Sequence, residues 1–96
     1  MKPNFKQRIE ALQLVTKGKK EYDFTMTGIR IRLTWIDQRN TNLKVHDEGV
    51  IELIHKSKDK KDTNDQIWVD WDNGLDEMLL RSKCCYMFTN SDGQLV

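Results

Sequence analysis

Cysteine is scarce in this chain of 96 residues: there are two, Cys84 and Cys85, and they are adjacent. Neighbouring cysteines rarely close a disulfide, and two do not make the framework of a small secreted domain. Long apolar runs are also missing. None approaches the roughly 18 residues needed to cross a bilayer, and the opening MKPNFKQRIE lacks the apolar segment of a secretory leader. These absences point to a reducing, cytoplasmic setting away from membranes. The sequence has no Cys-x-x-Cys pair, and His46 and His55 have no companion at zinc-ligand spacing. It has no Gly-x-Ser-x-Gly block, no Ser-His-Asp order and no separated acid/base pair. The expectation is therefore a protein that is not an enzyme and carries no metal or cofactor.

A large charge excess is absent too, since the net charge is +1. That value conceals a gradient. Residues 1–24 carry six Lys/Arg against three acids, and residues 64–96 carry Arg81 and Lys83 against six acids. A uniformly basic nucleic-acid binder is disfavoured, although a local basic face is still compatible with this distribution. With 38% apolar and 32% charged residues, the chain has the composition of one soluble globular domain.

What the sequence does have is centred on 66–74, QIWVDWDNG. Ile67, Val69 and Trp71 alternate with Gln66, Trp68 and Asp70, the period of a strand with one buried face. Asp72-Asn73-Gly74 follows, and Asn-Gly is a strong tight-turn signal because both residues tolerate positive φ. Upstream, Asn4 is placed to cap a helix over 4–17. Its stripe would be Phe5, Ile9, Leu12 and Val15, and Gly18 its stop. Tyr22, Phe24 and Met26 alternate as a weak lead-in strand. From Gly28, the residues Ile29, Ile31, Leu33 and Trp35 share one strand face, and Arg30, Arg32 and Thr34 the other. After a polar loop at 37–42, Leu43 and Val45 tuck under the sheet. A turn at 46–49 leads into a more central strand at 50–55. The stretch 56–65, KSKDKKDTND, has no apolar residue and reads as an exposed tip. Met78 and Leu80 lie on a return strand, and 85–88 forms the last strand. Short strands at this spacing predict a small, strongly bent five-stranded barrel, whose closure would remove its edges. The expected layout is one domain, with a helix at 4–17, a barrel core at 28–88 and a polar tail at 89–96.

The order G-I-R-I-R-L (28–33), H-D-E-G-V-I (46–51), Q-I-W-V-D-W-D-N-G (66–74) and M-L-L (78–80) resembles a small SH3-like domain of phages and mobile elements, domain-of-unknown-function family 4314. The matching positions are Gly28, Arg30, Ile31, Leu33, Gly49, Val69, Trp71, Asp72, Asn73, Gly74, Met78 and Leu80. The resemblance covers about two-thirds of the chain. It departs from the family pattern in a longer 56–65 loop and in the 18–27 spacer after the helix. It implies an SH3-like barrel and a phage or prophage origin, and no established reaction.

Three groups of residues are candidates for chemistry. Arg30, Arg32 and Trp68 lie on polar strand faces. If their strands are neighbours, two guanidinium groups and an indole would form a nucleotide or single-strand patch. The competing reading pairs the arginines with Glu52 or Asp70 and covers Trp68 with the helix. Asp70 and Asp72, with Asp76 and Glu77 beyond the turn, could hold Mg²⁺, or Asp72 could instead satisfy turn amides. Lys58, Lys60 and Lys61 are diluted by acids and read as a solvated tip. Trp35 and Trp71 are expected in the core or, less simply, in an aromatic cage. Cys84 or Cys85 reads as a small buried hydrophobe. The leading expectation is a binding module for a host or viral protein, such as a bacterial defence or replication component. Nucleic-acid or signalling-nucleotide binding is the alternative, and a virion or packaging accessory the third.

Overall fold

β3 (Glu48–His55) is the strand on which the others assemble. The computed structural model describes residues 4–58, 64–90, 92, 94 and 95. Chain order is α1 (Phe5–Val15), β1 (Tyr22–Asp23), β2 (Arg30–Ile36), β3, β4 (Gln66–Trp71), β5 (Met78–Leu80), a 3₁₀ turn (Arg81–Lys83) and β6 (Cys84–Thr89). The sheet is antiparallel, in the order β5-β4-β3-β2-β6. β1 pairs with the far end of β3, Tyr22 opposite His55, so β1 and β2 share one edge of β3.

Among the described residues the chain is mainly β with one short N-terminal helix, as expected, but the sheet has six strands rather than five. No pairing among the described residues joins β5 to β6. The edge of three-residue β5 is instead covered by one side chain. Gln38 donates from Nε2 to the Met78 carbonyl at 3.1 Å and accepts from the Leu80 N–H at 2.7 Å. A side-chain amide thus replaces the missing strand. The sheet still curls round one core, because Leu79 of β5 and Cys84 of β6 share a buried cluster with Ile31, Leu33, Leu43, Ile51, Ile67, Val69 and Trp71.

Two bulges decide which side chains enter that core. In β2 the register with β6 shifts between Leu33 and Trp35. The extra residue, Thr34, turns Trp35 outward and Ile36 inward. Trp35, expected in the core by simple alternation, is 47% exposed. In β3 the register with β4 shifts between Ile51 and Leu53. Ile51 faces the core, Glu52 is the extra residue, and Leu53 stands opposite outward-facing Trp68. Both Glu52 and Leu53 are nevertheless buried. Leu53 and Ile9 of α1 are the buried apolar residues outside the main cluster.

Other details are set locally. α1 has the expected cap: Asn4 Oδ1 accepts from the Gln7 N–H at 2.8 Å, and Gln7 Oε1 accepts in return from the Asn4 N–H. The helix ends at Val15, with Gly18 at φ +79° beyond it. Val15 is exposed, not on the buried stripe, because ten residues from Phe5 at about 100° each leave it roughly 80° off that line. Val45 is also exposed, whereas Leu43 is buried as expected. On β5 the inward residue is Leu79, opposite Ile67, so Met78 and Leu80 face out. Gly49 is needed where β3 passes β4. A Cβ there would lie 2.6 Å from Val69 Cγ1 and 2.7 Å from the Asp70 carbonyl oxygen. The link from β4 to β5 spans 72–77, longer than a two-residue hairpin. Only Gly74 in its turn has positive φ, at +84°. Asn73 closes the turn by accepting from the Leu75 N–H.

Candidate functional site

The sheet has an outer face as well as a core face, and alternation along β4 assigns Gln66, Trp68 and Asp70 to it. That face is charged, and α1 lies against it. Arg8 reaches down from the helix, with Nη2 2.9 Å from Glu52 Oε2 and Nη1 3.7 Å from Asp70 Oδ1. The Glu52 side chain is only 4% exposed, and buried acids are rare unless paired. Arg8 therefore ties helix to sheet through this pair.

Between α1 and the β4–β5 hairpin runs an open trough of about 500 Å³. One wall is Gln7, Arg8, Ala11 and Leu12 of the helix. The other is Trp68 and Met78, opposite each other on β4 and β5, with Asp76, Glu77 and Glu52 also in the lining. Trp68 is held in place from behind. Its Nε1–H donates to Gln66 Oε1 at 3.1 Å, and its ring meets Tyr22 and His55 edge-on. Tyr22 and His55 stack on each other at 4.4 Å. Glu77 is fixed as well, accepting from the Thr41 hydroxyl and the Asn42 N–H while its carbonyl accepts from Trp71 Nε1.

Arg30 and Arg32 are not part of this trough. They lie on β2, with β3 between them and Trp68. Arg30 forms an ion pair with Asp72 and lies 3.9 Å from Glu48, and Arg32 approaches Glu48 at 3.5 Å. The hydrogen bond that Arg30 donates to Asp72 pushes the Arg30 pKa further up, against the opposing effect of burial. The paired reading of the arginines thus holds, with different partners. Glu48, opposite Arg32 in register, and Asp72 take them, while Arg8 reaches Glu52 and Asp70. Asp72 serves Arg30 while Asn73 does the turn bonding expected of Asp72. Asp70 and Asp72 face different arginines, and no group of three potential metal ligands occurs among the described residues. Trp71 is buried and Trp35 lies on the opposite face, so the two do not form a cage. Cys84 is buried and Cys85 exposed. Lys58 is exposed at the start of its loop, and Lys60 and Lys61 lie outside the described residues.

Of the trough's residues, sequence reasoning singled out Trp68 and weighed Asp76, Glu77 and Glu52, but missed Arg8, Leu12 and Met78 as parts of one site. The available signal was Glu52 itself, an acid within the apolar run V-I-E-L-I. Comparison of the chain with protein-family models, curated proteins and solved structures gave no match. Among the described residues no helix is long and apolar enough to cross a membrane.

Proposed function

We propose that the protein is a non-catalytic binding module that docks onto another protein through the trough between α1 and the β4–β5 hairpin. In the phage or mobile-element setting implied by the resemblance to family 4314, that partner is a host or viral protein. The observation that carries the reading is the trough itself. It is an open, largely apolar concavity on a small domain, walled by a tryptophan whose ring and indole N–H are already held. Pre-positioned aromatic side chains in such concavities are the usual anchors of protein interfaces, since little side-chain freedom is lost on binding. The nucleotide alternative has less support, because Arg30 and Arg32 are engaged by carboxylates and lie across β3 from Trp68.

The test compares wild type, Trp68→Ala and Trp35→Ala as immobilised baits in lysate of a bacterial host. Trp35 is the control, an exposed tryptophan distant in register. A partner retained by wild type and Trp35→Ala should be lost from Trp68→Ala, with that variant still melting cooperatively. Retention of the partner by a folded Trp68→Ala variant would remove the trough from the reading.

A further inference from the structure

We infer that the trough accepts a cationic segment of the partner, a lysine or arginine side chain laid along Trp68 with its head group among the carboxylates. The inference rests on the docking reading above and adds the chemistry of what docks. Its basis is an imbalance of charge within an apolar frame. Ala11, Leu12, Trp68 and Met78 supply apolar lining, while the charged lining among the described residues is Arg8 against Glu52, Asp76 and Glu77. Arg8 pairs with Glu52, and among the described residues no cation is paired with Asp76 or Glu77. Asp70 beside Arg8 makes the field more negative still.

Arg8 is already committed, since its guanidinium spans Glu52 and Asp70. Glu77 is committed in geometry but not in charge. Its oxygens accept from neutral donors, the Thr41 hydroxyl and the Asn42 N–H, so its full negative charge remains at a fixed place. Asp76 is exposed in the lining. Fixed carboxylates beside low-dielectric walls focus a negative potential into a cleft, favouring cations and repelling phosphate. Lysine and arginine suit the remainder. Their aliphatic stems pack on apolar surface while the charged head stays near carboxylates or water. The face of an indole also attracts ammonium and guanidinium groups by its quadrupole. The trough is open to solvent, so it admits a side chain still attached to a polypeptide.

The test uses the full chain, labelled with ¹⁵N, and three synthetic peptides. They share the same leucine and methionine positions, and their polar positions are filled with Lys/Arg, with Gln or with Glu. The cationic peptide should shift the Trp68 indole N–H and the amides of Ala11, Asp76 and Met78. It should bind about tenfold more tightly than the glutamine peptide, a difference of about 1.4 kcal/mol. Asp76→Asn should weaken the cationic peptide about threefold and leave the glutamine peptide unchanged, and added salt should act in the same direction. Equal binding of the cationic and glutamine peptides in the trough, or preference for the glutamate peptide, would overturn the cationic inference while the docking reading stands. Shifts confined to another surface, or none with any peptide at millimolar concentration, would overturn both.

Discussion

Burial pushes the Cys84 thiol up to about 11 from its ordinary 9.0, and the neighbouring Cys85 adds a smaller like-charge effect in the same direction. The folded state therefore holds that proton more tightly than the unfolded chain. The stability this provides is complete below about pH 9 and is lost as pH rises towards 11, because the unfolded thiol ionises first. Burial raises Tyr86 too, with the same sign at higher pH. Between pH 7.5 and 10.5, urea denaturation should show wild type losing on the order of 2 kcal/mol through Cys84 alone. Cys84→Ala should begin less stable, because a buried side chain is truncated, but decline less steeply over that interval. Parallel slopes for the two proteins would show that the thiol is not desolvated. Alkylation gives an independent check at the same residues: Cys85 is exposed and should label in the native state, Cys84 only on unfolding.

At the scale of elements, β5 depends on Gln38 more than on its own length. Three residues make too short a strand to persist with one side open, and the Gln38 amide supplies both a donor and an acceptor to that side. Gln38→Ala removes two hydrogen bonds worth about 0.5–1.5 kcal/mol each, so a loss of about 1–3 kcal/mol is expected. It also bares an edge that can pair with another chain. Thermal denaturation and size-exclusion chromatography should show both a lower Tm and concentration-dependent self-association. A variant that is less stable but strictly unchanged in size would limit Gln38 to a local role. The same scale shows what alternation can and cannot reveal. The Asn4 cap and the alternating faces of β4 depend on adjacent residues and were legible. The outward turn of Trp35 was not, because a bulge is set by the register with β6, some fifty positions away in the chain. Gln38 was equally hidden, as a polar loop residue whose role exists only once β5 lies beside it.

For the molecule as a whole, two layers are joined across the outer face of the sheet, and an ion pair is part of the join. Trp68 was legible as an outward aromatic, and Glu52 as an acid in an apolar strand. That Arg8 meets Glu52 was not, since 44 positions separate them and the pairing exists only once α1 lies on the outer face of the sheet. A buried pair of this kind need not stabilise the fold relative to apolar residues, but breaking it from one side takes a counter-charge from the charge that stays buried. Arg8→Met keeps much of the apolar stem and removes the charge. With Glu52 4% exposed and Arg8 22%, the loss should fall near the low end for buried pairs, about 3 kcal/mol. That is a large share of the roughly 5–15 kcal/mol expected for a whole domain. Glu52→Met alone strands Arg8 less severely, because its head can turn to water or to Asp70. The double variant Arg8→Met with Glu52→Met should recover most of the stability lost by Arg8→Met. Urea denaturation of the four proteins as a double-mutant cycle gives the coupling directly. If Arg8→Met lies within about 0.5 kcal/mol of wild type, the range of ordinary surface changes, α1 is held by something other than this pair. If the double variant folds well yet no longer binds the cationic peptide, the ion pair serves to set the wall of the trough rather than to stabilise the domain.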